Sequence, residues 1–456
     1  MAVWSTTNIR EITASKRIDS EFFHPKYLLA ESLVNSLEDV IPLGQIGKFK
    51  IGPFGSAFHV KNYDKASEYR YIRGKDVKPF QLLNDDNVYM PEKDFIRLSK
   101  YAVQEDDLLI SVVGTLGNVA IVPDDVKGIF SCKSTIFRDS TVSPTYLLAY
   151  FNTKYGKECL LRRQRGAVQT GLNKEDLKTV PVPVFNDEIH KQIGGNVKKA
   201  ISLGRKSQEL YQQAITLLEK ELGLDKIAFE KPKSYTASFR EVLAFSRIDG
   251  EHFQPKFRKI REVIENYKNG FERLSSNIKV VKPDYQLKNH PTNTIQYIEL
   301  SNINPSMGYI DRIEEMDVKK APSRAKRMVF TGDVIASSVV GSVDKAGLVS
   351  ETENGHIASN GFFQFRSDYY SPEFLLLLIK SNFVKEQFHQ QSTGGILSAV
   401  PDQNLKYIII PKIDVALQNQ ITELVKESHI KVRESKQLLE QAKNRVEELI
   451  EAVATK

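Results

Sequence analysis

The sequence predicts an α+β protein built from two similar globular domains, each followed by a long helix, with the two helices packed against each other. Three observations support this prediction. One phrase occurs twice, other similarities recur in the same order after it, and two long stretches without proline place apolar residues in a heptad pattern.

The repeated phrase is RIDSEFFHPKY at 17–27, which returns as RIDGEHFQPKF at 247–257 with seven identical positions. A duplicated unit must keep its internal order. Further pairs do keep it: YIRGKDV (71–77) with YIELSNI (297–303), DDLLISVVGTLGNVAIV (106–122) with GDVIASSVVGSVDKAGLV (332–349), and DLKTVPVP (176–183) with NLKYIIIP (404–411). Their offsets lie between 226 and 230, so the chain consists of two copies of one unit.

Each copy begins in the same way. Pro25 or Pro255 suits the first turn of a helix, and residues with helical apolar spacing follow it. A longer stretch of short β-type runs with scattered Gly, Pro and Asn comes next, together with helical segments at 143–163 and 371–388. This mixture predicts compact α+β domains over 1–185 and 225–412.

The two long helices are expected over 186–224 and 413–456. Spacings of four and three alternate through Ile193, Val197, Ala200, Gly204, Ser207, Tyr211, Ala214 and Leu218, and again through Ile421, Val425, Ser428, Val432, Ser435, Leu439, Ala442 and Val446. Such a seam needs a partner helix, and the most economical partner is the other copy, which predicts an antiparallel coiled coil with pseudo-two-fold symmetry. The alternative is that each helix packs only on its own globular domain.

A helix of this length extends for about 54 Å, which exceeds the width of such a domain and favours a spacer role. Two similar domains joined by a spacer suit a ligand that carries two sites a fixed distance apart. Duplex DNA is such a ligand, because half-site spacing along it mirrors protein geometry.

Composition predicts a soluble globular protein of the cytoplasm. The chain has 456 residues, 41% of them hydrophobic, and no apolar run approaches the length of a membrane span. No signal pattern begins the sequence, and the two cysteines show no C-x-x-C pairing, which speaks against a disulfide framework and a zinc ribbon. A net charge of +7 weakly favours an anionic partner.

Catalytic motifs are missing from the sequence. It contains no G-x-G, no phosphate-binding loop, no Pro-Pro pair and no H-E-x-x-H. A weak nuclease-like arrangement can be made from Asp284 with the run Asp317-Val318-Lys319. The sequence therefore predicts a non-catalytic protein without a metal site, while a metal-dependent DNA nuclease and a protein-binding scaffold without DNA contact stay open as alternatives.

Three motifs, taken in this order, resemble the specificity subunit of type I restriction-modification systems. They are IGPFGSAF (51–58), GAVQTGLNKEDLKTVPVPV (166–184) and the helix opening NDEIHKQI (186–193). The resemblance covers essentially the whole chain. The second copy departs from it, since VVKPDYQLKNH (280–290) replaces the Gly-Pro-Phe-Gly loop and TGGILSAVPDQNLKYIIIPKI (393–413) differs in its closing loop.

The resemblance implies a DNA-binding subunit with two target-recognition domains. Each domain would read one half of a split asymmetric target in double-stranded DNA, and the helix pair would set the gap. Two methyltransferase subunits would bring S-adenosylmethionine and methylate an adenine in each half. A motor-nuclease (restriction) subunit would join for cleavage, and this chain would itself hold no cofactor.

Candidate DNA contacts follow from the chemistry of phosphates and base edges, which favours Lys, Arg, Asn and Gln at loops. In the first copy the candidates are Lys48, Lys50, Ser56, Lys61, Tyr69, Arg70, Arg73, Lys75, Arg162, Arg163, Arg165 and Gln169. In the second copy they are Lys279, Lys282, Lys288, Asn302, Arg324, Lys326, Arg327, Ser392 and Thr393, with Gly394 and Gly395 beside the last pair.

The repeated phrase is predicted to serve what the two copies share. Domains that read different bases would not keep identical readers, so Arg17, Asp19, Arg247 and Asp249 are not assigned to base recognition. Two roles remain: folding of the start of each domain against the long helices, or docking of identical partner subunits.

Overall fold

A computed structural model of the chain describes residues 3–166, 169–224, 232, 234–394 and 398–454. The chain forms two compact units, here called unit 1 (Met1–Gly204 with Arg433–Lys456) and unit 2 (Arg205–Val432). The division runs through both long helices. Each unit therefore contains one globular part and a segment of each helix.

Unit 1 alternates short helices and strands before the first long helix. Its helices are α1 (Ile9–Ser15), α2 (Pro25–Asn35), α3 (Leu43–Ile46), α4 (Glu92–Arg97), α5 (Pro144–Phe151), α6 (Lys154–Leu161), α7 (Lys174–Leu177) and the first part of α8 (Asp187–Glu221). Its strands are β1 (Val40–Pro42), β2 (Lys48–Ile51), β3 (Arg70–Ile72), β4 (Phe80–Gln81), β5 (Leu108–Ser111), β6 (Val119–Ile121), β7 (Gly128–Phe130), β8 (Ser134–Arg138) and β9 (Pro181–Pro183).

The core of unit 1 is a five-stranded sheet in the order β2-β8-β5-β6-β4. Two smaller pairs accompany it, β3 with β7 in parallel and β1 with β9 in antiparallel orientation. Every residue of β5 is buried, and so are seven of the residues of α5, because its sequence PTYLLAYF is apolar on all sides. None of the helices that the structure describes combines enough length with enough apolar character to pass through a bilayer.

Unit 2 repeats most of the elements of unit 1 in the same order. Its helices are the last part of α8, α9 (Phe239–Phe245), α10 (Pro255–Glu265), α11 (Leu274–Asn277), α12 (Pro372–Lys380), α13 (Asn382–Gln391) and the first part of α14 (Val415–Ala454), whose last part belongs to unit 1. Its strands are β10 (Phe271–Arg273), β11 (Lys279–Val280), β12 (Thr294–Ile298), β13 (Glu314–Asp317), β14 (Ala325–Met328), β15 (Val334–Ser337), β16 (Ala346–Leu348), β17 (Ile357–Ser359), β18 (Phe362–Arg366) and β19 (Ile409–Pro411).

The strand pairings of unit 2 repeat those of unit 1. The sheet β11-β18-β15-β16 corresponds to β2-β8-β5-β6, the parallel pair β12/β17 to β3/β7, and the antiparallel pair β10/β19 to β1/β9. Unit 2 adds β13 and β14 at the two sides of β12/β17. The duplication predicted from the sequence is thus confirmed in the topology.

An ion pair with a buried aspartate recurs at the same place in both sheets. The Asp107 carboxylate accepts from Arg138 Nε at 2.9 Å, and the Asp333 carboxylate accepts from Arg366 Nε at 2.7 Å. Burial raises the pKa of Asp107 above its usual value. Each aspartate directly precedes the central strand, β5 or β15, and its ion pair joins that strand to the neighbouring strand, β8 or β18.

The long helices pair in both units, as the heptads predict. In unit 1, Ser435 Oγ of α14 donates to the carbonyl oxygen of Ala200 in α8 at 2.6 Å. In unit 2, Ser207 Oγ donates to the Ser428 carbonyl and Ser428 Oγ to the Ser207 carbonyl, both at 2.8 Å. Residue numbers rise along α8 as they fall along α14, so the pairing is antiparallel. Packing of each helix on its own globular part alone is excluded.

Small residues explain how closely these helices approach. A Cβ atom at Gly204 would lie only 3.5 Å from Ser435 Oγ. A serine side chain is short, so it can reach a main-chain carbonyl across the seam only where the helix backbones are near. The predicted seam residues are buried on both helices, except Gly204 and Leu439, which are half-buried.

Candidate nucleic-acid interface

An arginine and an aspartate tie the start of unit 1 to the segment that follows α6. Arg17 donates to both carboxylate oxygens of Asp19 at 2.8 Å. The same guanidinium donates to the carbonyl oxygens of Gln164 at 2.6 Å and Arg162 at 3.5 Å, and Arg17 is only 5% exposed. We call this arrangement the latch.

Unit 2 contains the same latch. Arg247 donates to Asp249 at 2.7 and 2.9 Å and to the carbonyl oxygens of Ser392 at 2.8 Å and Gln390 at 3.4 Å. These acceptors occupy the places of Gln164 and Arg162 in the other copy. The phrase is repeated because the same bonds are made twice.

The latch gives Arg17, Asp19, Arg247 and Asp249 a structural role, while the docking role predicted for them stays a prediction. Both guanidinium groups bond within their own unit, whereas the side chains of Asp19 and Asp249 are 46% and 44% exposed. The hydrogen bonds from Arg17 hold the pKa of Asp19 below its usual value, and those from Arg247 do the same for Asp249. The folding role is supported, but the contact is with the segment after α6 or α13 rather than with the long helices.

Each latch sits at the base of a short hairpin. In unit 1, Arg165 and Gly171 exchange backbone hydrogen bonds at 2.9 and 2.8 Å, and in unit 2 Thr393 and Ala399 do so at 2.8 and 3.0 Å. We call residues 165–171 and 393–399 the closing hairpins. Their tips, 167–168 and 395–397, lie outside the described residues, and so does the predicted Gly395.

The second residue of each closing hairpin is a glycine with the same backbone angle. Gly166 and Gly394 both have φ at 111°, a region that side chains disfavour. The two hairpins share this geometry although most of their other residues differ.

The closing hairpin of unit 1 is joined to two strand ends. Leu172 donates its backbone N–H to the Val112 carbonyl at 3.0 Å, and Val112 donates to the Lys133 carbonyl at 2.9 Å. Lys133 follows β7 in the tight turn that leads to β8. Its side chain is exposed.

Two glycine loops pack on the same turn. A Cβ at Gly52 would lie 2.5 Å from the Ser131 carbonyl oxygen, and a Cβ at Gly74 would lie 2.7 Å from Lys133 Cβ. The absence of a side chain at Gly52 therefore allows the main chain to lie close to Ser131 of the same unit. We call the resulting surface the hairpin edge of unit 1; its described residues are 52–56, 74–75, 112–115, 131–133, 165–166 and 169–171.

Unit 2 has an equivalent hairpin edge. Val400 donates to the Ser338 carbonyl at 2.8 Å, and Ser338 donates through its N–H and its hydroxyl to the Gly361 carbonyl at 3.0 and 2.9 Å. Asn360 donates to the Arg324 carbonyl at 2.7 Å. The described residues of this edge are 324, 338–341, 360–361, 393–394 and 398–399.

Each hairpin edge presents an exposed cation. Within the part of the chain that the structure describes, neither the Lys133 ammonium nor the Arg324 guanidinium has an ion-pair or hydrogen-bond partner. Lys75 pairs with Asp86 at 2.8 Å, but both side chains are more than half exposed, so the pair is weak and Lys75 stays available. These groups can bind phosphates or the acceptor atoms of guanine.

Lys133 was missed by the sequence prediction. It stands alone in the sequence, without neighbouring cations or a glycine motif. Only the fold brings it against Gly74, because β3 and β7 are paired.

Arg162 and Arg163, predicted as DNA contacts, are buried at 9% and 5% exposure and bind Glu31. Arg163 also donates to the Thr179 carbonyl at 2.9 Å. A phosphate cannot reach these groups, so we reassign them to the framework that joins α2, α6 and β9. Their counterparts in unit 2 are Gln390 and Gln391, and Gln390 Nε2 donates to the His252 carbonyl at 3.2 Å.

Arg70 and Arg327 are corrected in the same way. Arg70 is 6% exposed and donates to the Leu83 carbonyl, while Arg327 is 2% exposed and donates to the Val281 carbonyl at 2.6 Å. Burial lowers the pKa of both guanidinium groups. Both hold loops to strands inside their own unit.

Several other predicted residues make side-chain contacts within their own unit. Arg73 pairs with Asp76, Tyr69 stacks on Phe95, Lys48 pairs with Asp139, Arg165 pairs with Asp176, Asn302 donates to the Arg312 carbonyl, and Ser392 donates to the His389 carbonyl. Of these, Arg165 lies on a hairpin edge, and Ser392 adjoins one.

The remaining predicted residues differ in position. Ser56, Gln169 and Thr393 are exposed on the hairpin edges. Lys61, Lys279, Lys282, Lys288 and Lys326 are exposed elsewhere on their units, and Lys50 is half-buried in β2. The structure thus brings together only part of each predicted set.

Cys132 provides a test of the unit 1 edge. It is partly exposed between Ser131 and Lys133, whereas Cys159 is fully buried and burial raises the pKa of its thiol to about 12. We expect iodoacetamide to modify Cys132 alone, and saturating duplex DNA at low salt to slow that reaction. Intact-mass time courses with and without duplex measure the rate.

The Cys132→Ser protein, which should remain unmodified, is the control for that experiment. An alkylation rate at Cys132 that stays the same under saturating DNA would place the duplex elsewhere.

The residues behind the nuclease alternative have ordinary structural surroundings. The Asp317 carboxylate accepts from the backbone N–H of Lys319 at 2.8 Å and caps a single helical turn, Val318–Lys320. Among the described residues, no group of three or more His, Cys, Asp and Glu side chains is placed to hold a metal ion.

Comparison with known proteins gives structural neighbours only. No protein-family model and no curated protein sequence matches the chain. The S subunit of the type I restriction-modification system from M. genitalium is 11% identical, with 91% of this chain and 95% of that chain covered, at a TM-score of 0.44. The HsdS subunit from Thermoanaerobacter tengcongensis is 13% identical, with 90% and 95% covered, at a TM-score of 0.27. A chain from a structure on complex assembly and conformational transition of the type I R-M system is 13% identical, with 91% and 96% covered, at a TM-score of 0.29.

Proposed function

We propose that this chain is a DNA-recognition subunit of a type I restriction-modification system, and that each unit reads one half of a split asymmetric target. One observation carries the proposal. In both units the same latch and the same strands hold a closing hairpin of different sequence on the same edge. A constant framework with differing loops is what two readers of different half-sites require.

The chemistry of the hairpin edges suits this role. Lys133 and Lys75 in unit 1 and Arg324 in unit 2 can neutralise phosphates or donate to guanine, and the exposed Asn360 can pair with adenine. The two edges offer different donors. Each half of the target would then have its own sequence.

The partner roles rest on the resemblance of the sequence motifs. Two methyltransferase subunits would supply S-adenosylmethionine and the adenine methylation, and a motor-nuclease subunit would supply cleavage. In this proposal the chain is not an enzyme and holds no cofactor. The antiparallel pair of α8 and α14 sets the gap between the two half-sites.

Exchange of one recognition domain tests the proposal. Replacing residues 1–185 with the matching domain of a specificity subunit of different target should change one half of the methylated sequence and leave the other half unchanged. Replacing 225–412 should change the opposite half. Methylation mapping of genomic DNA from cells that express each chimera reads both halves together.

Three results would contradict the proposal. Both halves could change in one chimera, which would refute one reader per unit. The chain with its partners could show no salt-sensitive binding to duplex DNA, which a scaffold without DNA contact predicts. Magnesium-dependent cleavage by the isolated chain, abolished by Asp317→Ala, would establish the nuclease instead.

A further inference from the structure

The fold explains all but one of the identities between the two repeated phrases. The arginine and aspartate form the latch, and the proline begins α2 or α10. The lysine lies over the next aromatic ring, the glutamate accepts a side-chain hydrogen bond, and the phenylalanine is at least half-buried. Ile18 and Ile248 are left, and they are 86% and 89% exposed.

These isoleucines end two segments of similar structure, residues 5–18 and 235–248, which we call the arms. Before each latch stands a seven-residue helix, α1 or α9, in which no residue is buried. The arm is held at its other end as well: Ser5 Oγ donates to the Phe23 carbonyl, and the Tyr235 hydroxyl donates to the Gly250 carbonyl, both at 2.5 Å. Hydrogen bonds therefore attach the chain to its unit before and after each arm helix, while the helix itself stays exposed to solvent.

The first residue of each arm helix is also apolar and exposed. Ile9 is 73% exposed and Phe239 is 75% exposed, at equivalent positions in the two copies. A helix of this length is unstable alone in water, so it depends on its anchors and on what packs against it. An uncovered apolar surface at the same place in both units indicates a binding surface.

The charge next to this surface is the same in both arms. Arg10 and Arg240 follow Ile9 and Phe239 directly, both exposed, and neither has a side-chain partner among the residues that the structure describes. The glutamate after each arginine bonds near the start of its own helix. An exposed arginine thus stands beside the exposed apolar residue in both arms, and a complementary surface would place a carboxylate next to an apolar pocket.

We infer that each arm carries a docking patch for one methyltransferase subunit, formed in unit 1 by Ile9, Arg10 and Ile18 and in unit 2 by Phe239, Arg240 and Ile248. The inference rests on the proposed function. Two equivalent patches call for two copies of one partner, and the methyltransferase is the subunit proposed to act on both halves of the target.

The latch gives a second reason for this occupant. It joins the arm directly to the base of the closing hairpin, so a subunit docked on the arm is held beside the edge that faces DNA. A methyltransferase needs that position to reach its adenine. DNA itself is the poorer occupant, because a phosphate backbone offers no pocket for an isoleucine.

Charge substitution of the isoleucines tests the inference. The full chain, as Ile18→Glu, Ile248→Glu or the double variant, is co-expressed with the methyltransferase subunit, and native mass spectrometry gives the stoichiometry. We expect two methyltransferase copies on the unsubstituted chain, one on each single variant and none on the double variant, with binding at each altered patch weakened about tenfold or more. Ile96→Glu, at an isoleucine 63% exposed on α4, should keep two copies.

A second pair of substitutions guards against a folding defect. Arg10→Glu with Arg240→Glu should also lose the methyltransferase, while circular dichroism and the unfolding midpoint stay unchanged because both side chains are exposed. If the double isoleucine variant still binds two copies with unchanged affinity, or instead loses duplex binding by the isolated chain, the inference is overturned. If even the unsubstituted chain binds no methyltransferase subunit, the proposed function fails rather than the patch.

Discussion

Replacing Asp19 with alanine is expected to lower the free energy of unfolding of unit 1 by about 3 kcal/mol. The Arg17 guanidinium would remain buried without its carboxylate, and the bonds from Arg17 to the carbonyl groups of Gln164 and Arg162 would lose their orientation. The value lies at the low end for a buried ion pair because the Asp19 side chain is 46% exposed. Urea unfolding followed by circular dichroism measures the change.

An exposed ion pair in the same unit provides the matched control. Lys127 and Glu68 lie 3.0 Å apart with 64% and 62% of their side chains exposed, so Glu68→Ala should change stability by less than about 1 kcal/mol. Asp249→Ala should repeat the large loss in unit 2. Equal losses from Asp19→Ala and Glu68→Ala would show that the latch is not a structural requirement.

The latch should also leave a signature in the dependence of stability on pH. Arg17 lowers the pKa of Asp19 in the folded protein below its usual value of 3.8. The pair therefore contributes its full stability above about pH 4 and loses it as the pH falls through the lowered pKa. The Asp19→Ala protein should lack this part of the loss in acid.

Replacing Lys75 and Lys133 together with alanine is expected to weaken duplex binding about 100-fold, at about 1.4 kcal/mol for each charged contact. Both cations lie on the hairpin edge of unit 1, and each phosphate contact removed should lower the salt slope by about 0.9. Fluorescence anisotropy of a labelled duplex between 50 and 200 mM salt gives both quantities.

Lys198 and Lys199, two exposed lysines of α8, supply the control for that prediction. Their replacement by alanine removes the same net charge from the chain without touching the hairpin edge. If both double variants weaken binding equally, the effect comes from overall charge, and the hairpin edge loses its assignment.

The architecture could be predicted from the sequence because the patterns that specify it are local or periodic. The heptads of α8 and α14 and the order of the repeated segments are visible in the chain itself, and both are confirmed. The partners of individual charged side chains could not be predicted from the sequence. Arg163 looked like part of a free basic cluster, yet it binds Glu31, 132 residues away.

The role of the repeated phrase was hidden for a related reason. The groups that Arg17 and Arg247 bind are main-chain carbonyls, which leave no mark in a sequence. Lys133 was hidden because its contact with Gly74 depends on the pairing of β3 with β7. Functional surfaces built from several loops are therefore read poorly from one sequence, even where the fold is read well.

The choice of main-chain acceptors in the latch has a consequence for how such a protein can change. Every amino acid carries a carbonyl group, so the attachment of a closing hairpin does not depend on which residues precede or form it. Arg162 in one unit and Gln390 in the other already offer the same acceptor from different side chains. The sequence of one closing hairpin can therefore change without disturbing the fold of its own unit or the hairpin of the other unit.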